Sequence, residues 1–374
     1  MSTLVRIAPG ALVVGRPLPW TVYDADGTVL LCQGYVIQSN MQLEQLFERG
    51  LFHPRVIERA EEELPDDARQ LNPFAEYPVL LTTLEITLKA ITEGEETALK
   101  RLLGLTRMIE RLCDESPDAS LALVHLYSVE PTIHEQILFY GILCHSIAQT
   151  FGLNKARTSV LTSAALVANL GLVPVADQLN ASRMILNDER RAVIRKHPQR
   201  SMQALHAAGI RNKALLEIIA QHHEQPNGTG YPKGLSGTDI CAEAEMLALA
   251  ERYVAMITKR AYRERMDSTD ARKLIASLAD GQILRPAIPR ALLTILTDYP
   301  PGTLVRLSND EVGVVTRRPV RHRGPYVQAI FSPKGERYSR TIERDCSEPL
   351  YGVLALEEPE VMPSMDFSLL WEFS

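Results

Sequence analysis

Apolar positions along the chain fall into three rhythms. In "TVYDADGTVLLCQGYVI" two apolar runs flank Asp26-Gly27, a hairpin signal. The following "NMQLEQLFERG" predicts one short helix stopped by Gly50. Residues 1–57 are therefore expected to form a small β-rich module. The charged stretch "ERAEEELPDDARQLNP", broken by Pro65 and Pro73, predicts a linker over 58–76. From 77 to 299 apolar residues recur every three or four positions, as in "LKRLLGLTRMIERL", "LTSAALVANLGLV" and "ALLEIIAQHH". This predicts a helical domain of seven or more helices. Asn187 before Asp188 and Glu189 reads as a cap followed by an acidic first turn. After residue 300 the rhythm alternates again. "GTLVRLSNDEVGVVTRRPV" and "YVQAIFSPKGERYSRTI" predict two hairpins, turning at "SNDE" and at Pro-Lys-Gly. The tail carries Phe367, Leu369, Leu370, Trp371 and Phe373 and is expected to pack. The fold class is thus mostly α, with an N-terminal β-rich module and a C-terminal β module and tail over 300–374.

Composition narrows the function classes. A net charge of −6 over 374 residues argues against broad nucleic-acid binding, which needs a basic face. The five cysteines are scattered and form no CxxC, which suits a reducing compartment rather than a disulfide framework. "MSTLVRIAPG" lacks the apolar core of a signal peptide. "SAALVANLGLVPVA" is too short to span a bilayer and contains Asn169. A cytoplasmic protein with no membrane span is expected.

The candidate chemistry lies in "HHEQPNGTGYPKGLSGTDI". His222 and His223 close a helix whose apolar residues include Leu215, Leu216, Ile218 and Ile219. Adjacent helical residues point about 100° apart. Both histidines ligate metal only if two ions share a cavity or the helix end is distorted. A polar helix terminus favoured by the dipole is the competing reading.

The stretch resembles the signature of the HD-GYP family, on His222, His223, Glu224, Gly228, Gly230, Tyr231, Pro232, Gly234, Leu235 and Gly237. "KRAYR", with Arg260, Tyr262 and Arg263, is similar to the end of the family's next helix, and "IRKHPQ", with His197, to its His-Pro step. The resemblance covers roughly residues 125–310. It implies an HD-superfamily phosphohydrolase fold acting on cyclic di-GMP through clustered iron or manganese ions. Metal ligands implied are His197, His222, His223 and Glu251, the last standing for an aspartate. Nucleotide contacts implied are Gly230, Tyr231, Pro232, Arg260 and Arg263. Family members are also implied to contact diguanylate cyclases of the GGDEF class.

The same resemblance exposes departures. The segment that should carry the name-giving His-Asp pair reads "AALVANLGLVPV". Ala168 stands for the histidine, Asn169 for the metal-bridging aspartate, and Leu172 for a lysine. Asn169 lies 28 residues before His197, so the register holds. The upstream family histidine falls near Gln136, with His134 and His145 close by but out of register. Such losses should weaken metal binding, since even supporting residues contribute about 10–100-fold. They favour a non-catalytic nucleotide sensor or protein-docking module in cyclic di-GMP signalling, with iron or manganese weak or absent. An active phosphodiesterase with a reduced site and a scaffold that binds no nucleotide are the alternatives. The basic run "RRPVRHRGP" (317–325) reads as a solvated hairpin loop, or as an anion or partner site.

Overall fold

The computed structural model describes residues 71–176, 188–259, 263–280, 284–320, 324–357 and 367–373, with much of 4–54 in short stretches. Two compact units emerge: Met1–Gln70 with Pro359–Ser374, and Leu71–Glu358.

In the first unit, β1 (Leu4–Arg6), β2 (Val22–Tyr23), β3 (Val29–Leu31) and β4 (Phe52–Pro54) form an antiparallel sheet in the order β1-β4-β2-β3. The β2–β3 turn is closed by Asp24, whose Oδ1 accepts from the amides of Asp26 (3.0 Å) and Thr28 (2.7 Å). Short polar side chains close turns in this way. Helix α1 spans Asn40–Glu48. Leu12, Leu18, Val22, Ile37 and Leu43 make a small core. In the tail a 3₁₀ turn, Phe367–Trp371, buries Phe367 and Leu370.

The second unit holds ten helices and a sheet among its described residues: α2 (Pro73–Glu93), α3 (Ala98–Glu115), α4 (Pro117–Leu126), α5 (Ile133–Phe151), α6 (Lys155–Val167), α7 (Asp188–Ala207), α8 (Lys213–Gln221), α9 (Ala242–Ile257), α10 (Ser268–Asp280) and α11 (Ala287–Leu296). Helix α2 starts earlier than the periodicity placed the domain. Asn72 caps it by accepting from the amides of Phe74 and Ala75, and Pro73 occupies the first turn. Asn187, the expected cap of α7, lies outside the described residues.

Helix α5 is the hub. Thr132 and Glu135 form a reciprocal capping box, and Gly152 ends the helix at φ 90°. Its residues Ile137 to Cys144 are buried on every face, the mark of a helix enclosed by others. It packs on α2, α3, α4, α6, α9 and α11. Each fully buried Leu or Ile there contributes about 1.5–3 kcal/mol.

The C-terminal sheet, β5 (Leu304–Leu307), β6 (Val312–Arg317), β7 (Tyr326–Phe331), β8 (Arg337–Asp345) and β9 (Val353–Glu357), is antiparallel in the order β8-β7-β6-β5-β9. Both expected hairpins are present, with Asp310 (φ 67°) and Gly335 (φ 77°) at their turns. Arg318 pairs with Asp118 of α4, and Arg317 pairs with Glu343 and lies over the Tyr326 ring. These two arginines of the basic run are therefore engaged in holding the fold. Residues 321–323 of that run lie outside the described set. Among the described residues, no helix is long and apolar enough to cross a membrane.

Candidate metal and nucleotide site

Helix α8 ends at Gln221, so His222 and His223 occupy the turn beyond it. That is the distorted helix end that lets neighbouring histidines converge. Their ring centroids lie 4.0 Å apart, and His197 of α7 approaches both, at 5.2 Å and 4.9 Å. One ligand atom from each of the three falls within 4.8 Å of the others.

The tautomers follow from the hydrogen bonds. His197 Nδ1 lies 2.6 Å from the Ile194 carbonyl, and His222 Nδ1 lies 2.7 Å from the Ile219 carbonyl. A carbonyl only accepts, so each Nδ1 carries its proton and each Nε2 bears a lone pair. Those two Nε2 atoms face each other at 3.1 Å. Two lone pairs at that distance call for a proton or a cation between them. Ligands about 2.1 Å from one ion at a right angle would stand about 3.0 Å apart, so the donors fit a single divalent cation. Burial pulls His197 down to about 4 and His222 to about 3. His223 is lowered well below the usual histidine value, again chiefly by burial. All three are thus neutral at pH 7, the ligating form.

The opposite wall is different. Asn169 follows the end of α6 and donates its amide to Glu251 Oε1 of α9 at 2.5 Å. Burial raises Glu251 to about 8, and the Asn169 hydrogen bond only partly offsets that. Glu251 Oε1 is 3.9 Å from His222 Nε2. Near pH 7 the contact is not an ion pair, because His222 is neutral and Glu251 mostly protonated. Ala168, beside it, offers no donor atom. The segment is nonetheless firmly seated. Ser201 Oγ donates to the Ala168 carbonyl (2.7 Å) and accepts from the Gly171 amide (2.9 Å). A Cβ on Gly171 would stand 2.7 Å from the His197 carbonyl oxygen, so only glycine permits this approach to α7.

The Gly-Tyr-Pro loop is latched by Glu224. Its buried carboxylate accepts from the amides of Lys233 (2.6 Å) and Leu235 (2.9 Å). Gly230 lets the chain double back: a Cβ there would lie 2.3 Å from the Gln225 nitrogen and 2.5 Å from Glu224 Cα. The result places Tyr231 against His223, with rings stacked at 4.7 Å and 26°. Pro232 follows it through a cis peptide bond. Gln221 ties the histidine turn to the start of α9, accepting from the Cys241 amide at 2.7 Å.

Other sequence candidates lie elsewhere. His134 sits 3.6 Å from Glu85, and Gln136 is buried and donates to the Pro131 carbonyl. His145 pairs with Asp114 at 2.9 Å. Neither His134 nor His145 joins the histidine cluster. Arg263 is exposed and donates to the Ala255 carbonyl of α9. Arg260 lies outside the described residues. Sequence reasoning missed the latch role of Glu224, the Ser201 and Gln221 ties, and Arg195, whose guanidinium lies 5.6 Å from the Tyr231 ring centroid. The signal for the last was available in the i, i+4 spacing of Arg191 and Arg195 on α7.

Residues 101–283 match the HD domain family. A cyclic di-GMP phosphodiesterase of Pseudomonas aeruginosa is 27% identical over 221 residues, 59% of this chain and 53% of the relative. A 3'3'-cGAMP-specific phosphodiesterase of Vibrio cholerae is 25% identical, covering 62% of this chain and 41% of its own length. The chain spans about half the length of the curated relatives it matches. The solved structure of an HDG"Y"P protein from Bdellovibrio bacteriovorus superposes with a TM-score of 0.56 at 19% identity. It covers 79% of this chain and 99% of the other, a likeness of fold.

Proposed function

Because residues 101–283 match the HD domain family, we propose that this chain is a cyclic di-GMP signalling protein that binds the nucleotide without hydrolysing it. The observation that carries this reading is the Asn169–Glu251 hydrogen bond facing an intact histidine cluster. Hydrolysis by paired metals needs an anionic bridge between two cations. Here the bridging position holds a neutral amide, and that amide engages the carboxylate left to replace it.

His197, His222 and His223 would hold one divalent cation, iron or manganese, with Glu251 the adjacent carboxylate. Such an ion, when bound, supplies Lewis acidity toward a phosphodiester. The chain's own residues do the remaining work. Asn169 neutralises demand at Glu251, Glu224 fixes the loop, and Tyr231 walls the histidines from solvent. The exposed loop residues Pro232–Gly234 form the face on which a GGDEF-class diguanylate cyclase would dock.

The test is metal content of anaerobically purified protein, paired with calorimetry and a hydrolysis assay using cyclic di-GMP with added iron(II) or manganese(II). Binding without turnover is expected, with metal below one equivalent. Stoichiometric metal and turnover that vanish in His222→Ala would instead establish a phosphodiesterase with a reduced, single-metal site. The gathering of three neutral imidazoles favours that second reading.

A further inference from the structure

Beside the histidine cluster lies an open cleft of about 610 Å³, lined by Asp188, Arg191, Ala192, Ile194, Arg195 and Tyr231. Its volume is that of a small-molecule site. Helix α7 builds one wall with Arg191 and Arg195, four residues apart, whose side chains stand about 5–6 Å from each other at their bases. The same helix turns His197 inward to the metal-capable cluster. The floor is Tyr231, stacked on His223. The cleft therefore sets two guanidinium groups beside one aromatic ring, which is stacked in turn on the His223 imidazole.

The charge around it is lopsided. Among the described residues no acid pairs with Arg195, whose contact is with the Tyr231 ring. Arg191 is 3.6 Å from Asp188 Oδ1, with both side chains exposed. An exposed pair of that kind contributes little and yields readily to a better anion. The three histidines add no positive charge at pH 7, since burial keeps them neutral. Leu172, where the resemblance calls for lysine, adds none either.

We propose that Arg195 and Arg191 form a phosphate subsite, holding the phosphodiester of a cyclic dinucleotide over Tyr231. The inference rests on the cyclic di-GMP reading above and adds the groups that carry anion recognition. Planar guanidinium groups suit this task, because each offers paired N–H donors to phosphate oxygens. Both are on a rigid helix and solvent-facing, so their removal leaves the core untouched.

The experiment is calorimetric titration of the full chain with cyclic di-GMP. Arg195→Ala, Arg191→Ala and the double variant are compared with wild type, with Arg195→Lys and Lys196→Ala as controls. Lys196 is exposed on the same helix but does not line the cleft. Each arginine-to-alanine change should weaken binding roughly 10- to 100-fold, the range for a hydrogen bond to a charged group. Arg195→Lys should recover part of the loss, and Lys196→Ala should bind like wild type. The double variant should also show a shallower loss of affinity with added salt. If wild type binds and the double variant binds equally well, the subsite is refuted while the nucleotide reading stands. An equal loss in Lys196→Ala would reduce the effect to net charge and also refute the subsite. If wild type binds no cyclic dinucleotide, both fall together.

Discussion

Replacing Asn169 by aspartate should make the stability of this domain depend on a cation. In the wild-type protein the Asn169 amide donates to Glu251 Oε1 at 2.5 Å; Asn169 is buried and the Glu251 side chain only 12% exposed. Aspartate would set a second carboxylate at that distance. Two charges about 4 Å apart repel by about 4 kcal/mol at an effective dielectric near 20. The cost depends on pH. Glu251 is raised to about 8 in the fold, so it holds its proton at pH 7 and can donate it to the introduced carboxylate. In wild type, the stability lost through Glu251 accumulates as pH rises from the ordinary glutamate value to about 8, and is constant above that. In Asn169→Asp the shared proton is held more tightly, so the loss continues above pH 8. Relative to wild type the variant should fall by about 1.4 kcal/mol per pH unit there, up to the repulsion just given.

The assay is urea unfolding at pH 7, 8 and 9, in chelator and in excess manganese(II). A cation bound to the native state at one hundred times its dissociation constant adds about 2.7 kcal/mol. The aspartate variant should gain more from manganese than wild type does, because it restores an anionic ligand facing the three histidines. Parallel stability curves for the two proteins from pH 7 to 9 in chelator, with equal manganese gains, would refute the placement of Asn169 against Glu251.

Three further outcomes follow from the same geometry. Glu224→Ala should raise the hydrogen-exchange rates of the Lys233 and Leu235 amides roughly 10- to 100-fold each, since each loses a charged acceptor; unchanged protection would mean that the latch is not what orders the loop. Gly230→Ala should lower stability by about 1–3 kcal/mol in denaturant unfolding, because the new methyl meets backbone that cannot retreat. With chelator present, the unfolding midpoint should fall as pH drops from about 6.5 toward 5. The unfolded chain takes up protons there that His197, His222 and His223 refuse in the fold; their stabilisation is full above the ordinary histidine value and lost toward 4 to 3, at up to about 1.4 kcal/mol per pH unit for each. A midpoint flat over that range would show that the cluster is open to water.

Much of this was legible in the sequence, for reasons that can be located. The three-and-four rhythm gave the helical domain because its helices bury one continuous core around α5. The Asp26-Gly27 and Pro-Lys-Gly turns gave two hairpins because each turn is closed by its own residues, as with Asp24 and Gly335. The grouping of His197 with His222 and His223 was carried by the resemblance, through the His-Pro step and the loop signature, not by periodicity. What stayed hidden depends on groups far apart in the chain. Asn169 and Glu251, 82 positions apart, meet only because α6 and α9 both pack on α5. Whether His134 or His145 turns toward the cluster depends on Glu85 and Asp114, acids on other helices that claim them first. Arg263 is assigned by resemblance to the nucleotide, yet its guanidinium returns to the Ala255 carbonyl near the end of α9, the helix before it.

Most polar groups of this site are satisfied by their own neighbours. A cavity lined by several ionised carboxylates is unstable unless cations neutralise them. Here the one remaining carboxylate accepts a hydrogen bond from Asn169 and keeps its own proton near neutral pH. The Nδ1 protons of His197 and His222 are absorbed by carbonyls of their own helical turns. What remains uncompensated is a pair of facing lone pairs, and leaving an acceptor idle is less costly than leaving a buried donor or charge unpaired. The histidines and Glu251 therefore carry little charge at pH 7. Tyr231 on His223 and the arginine-lined cleft beyond are built without Ala168 or Asn169.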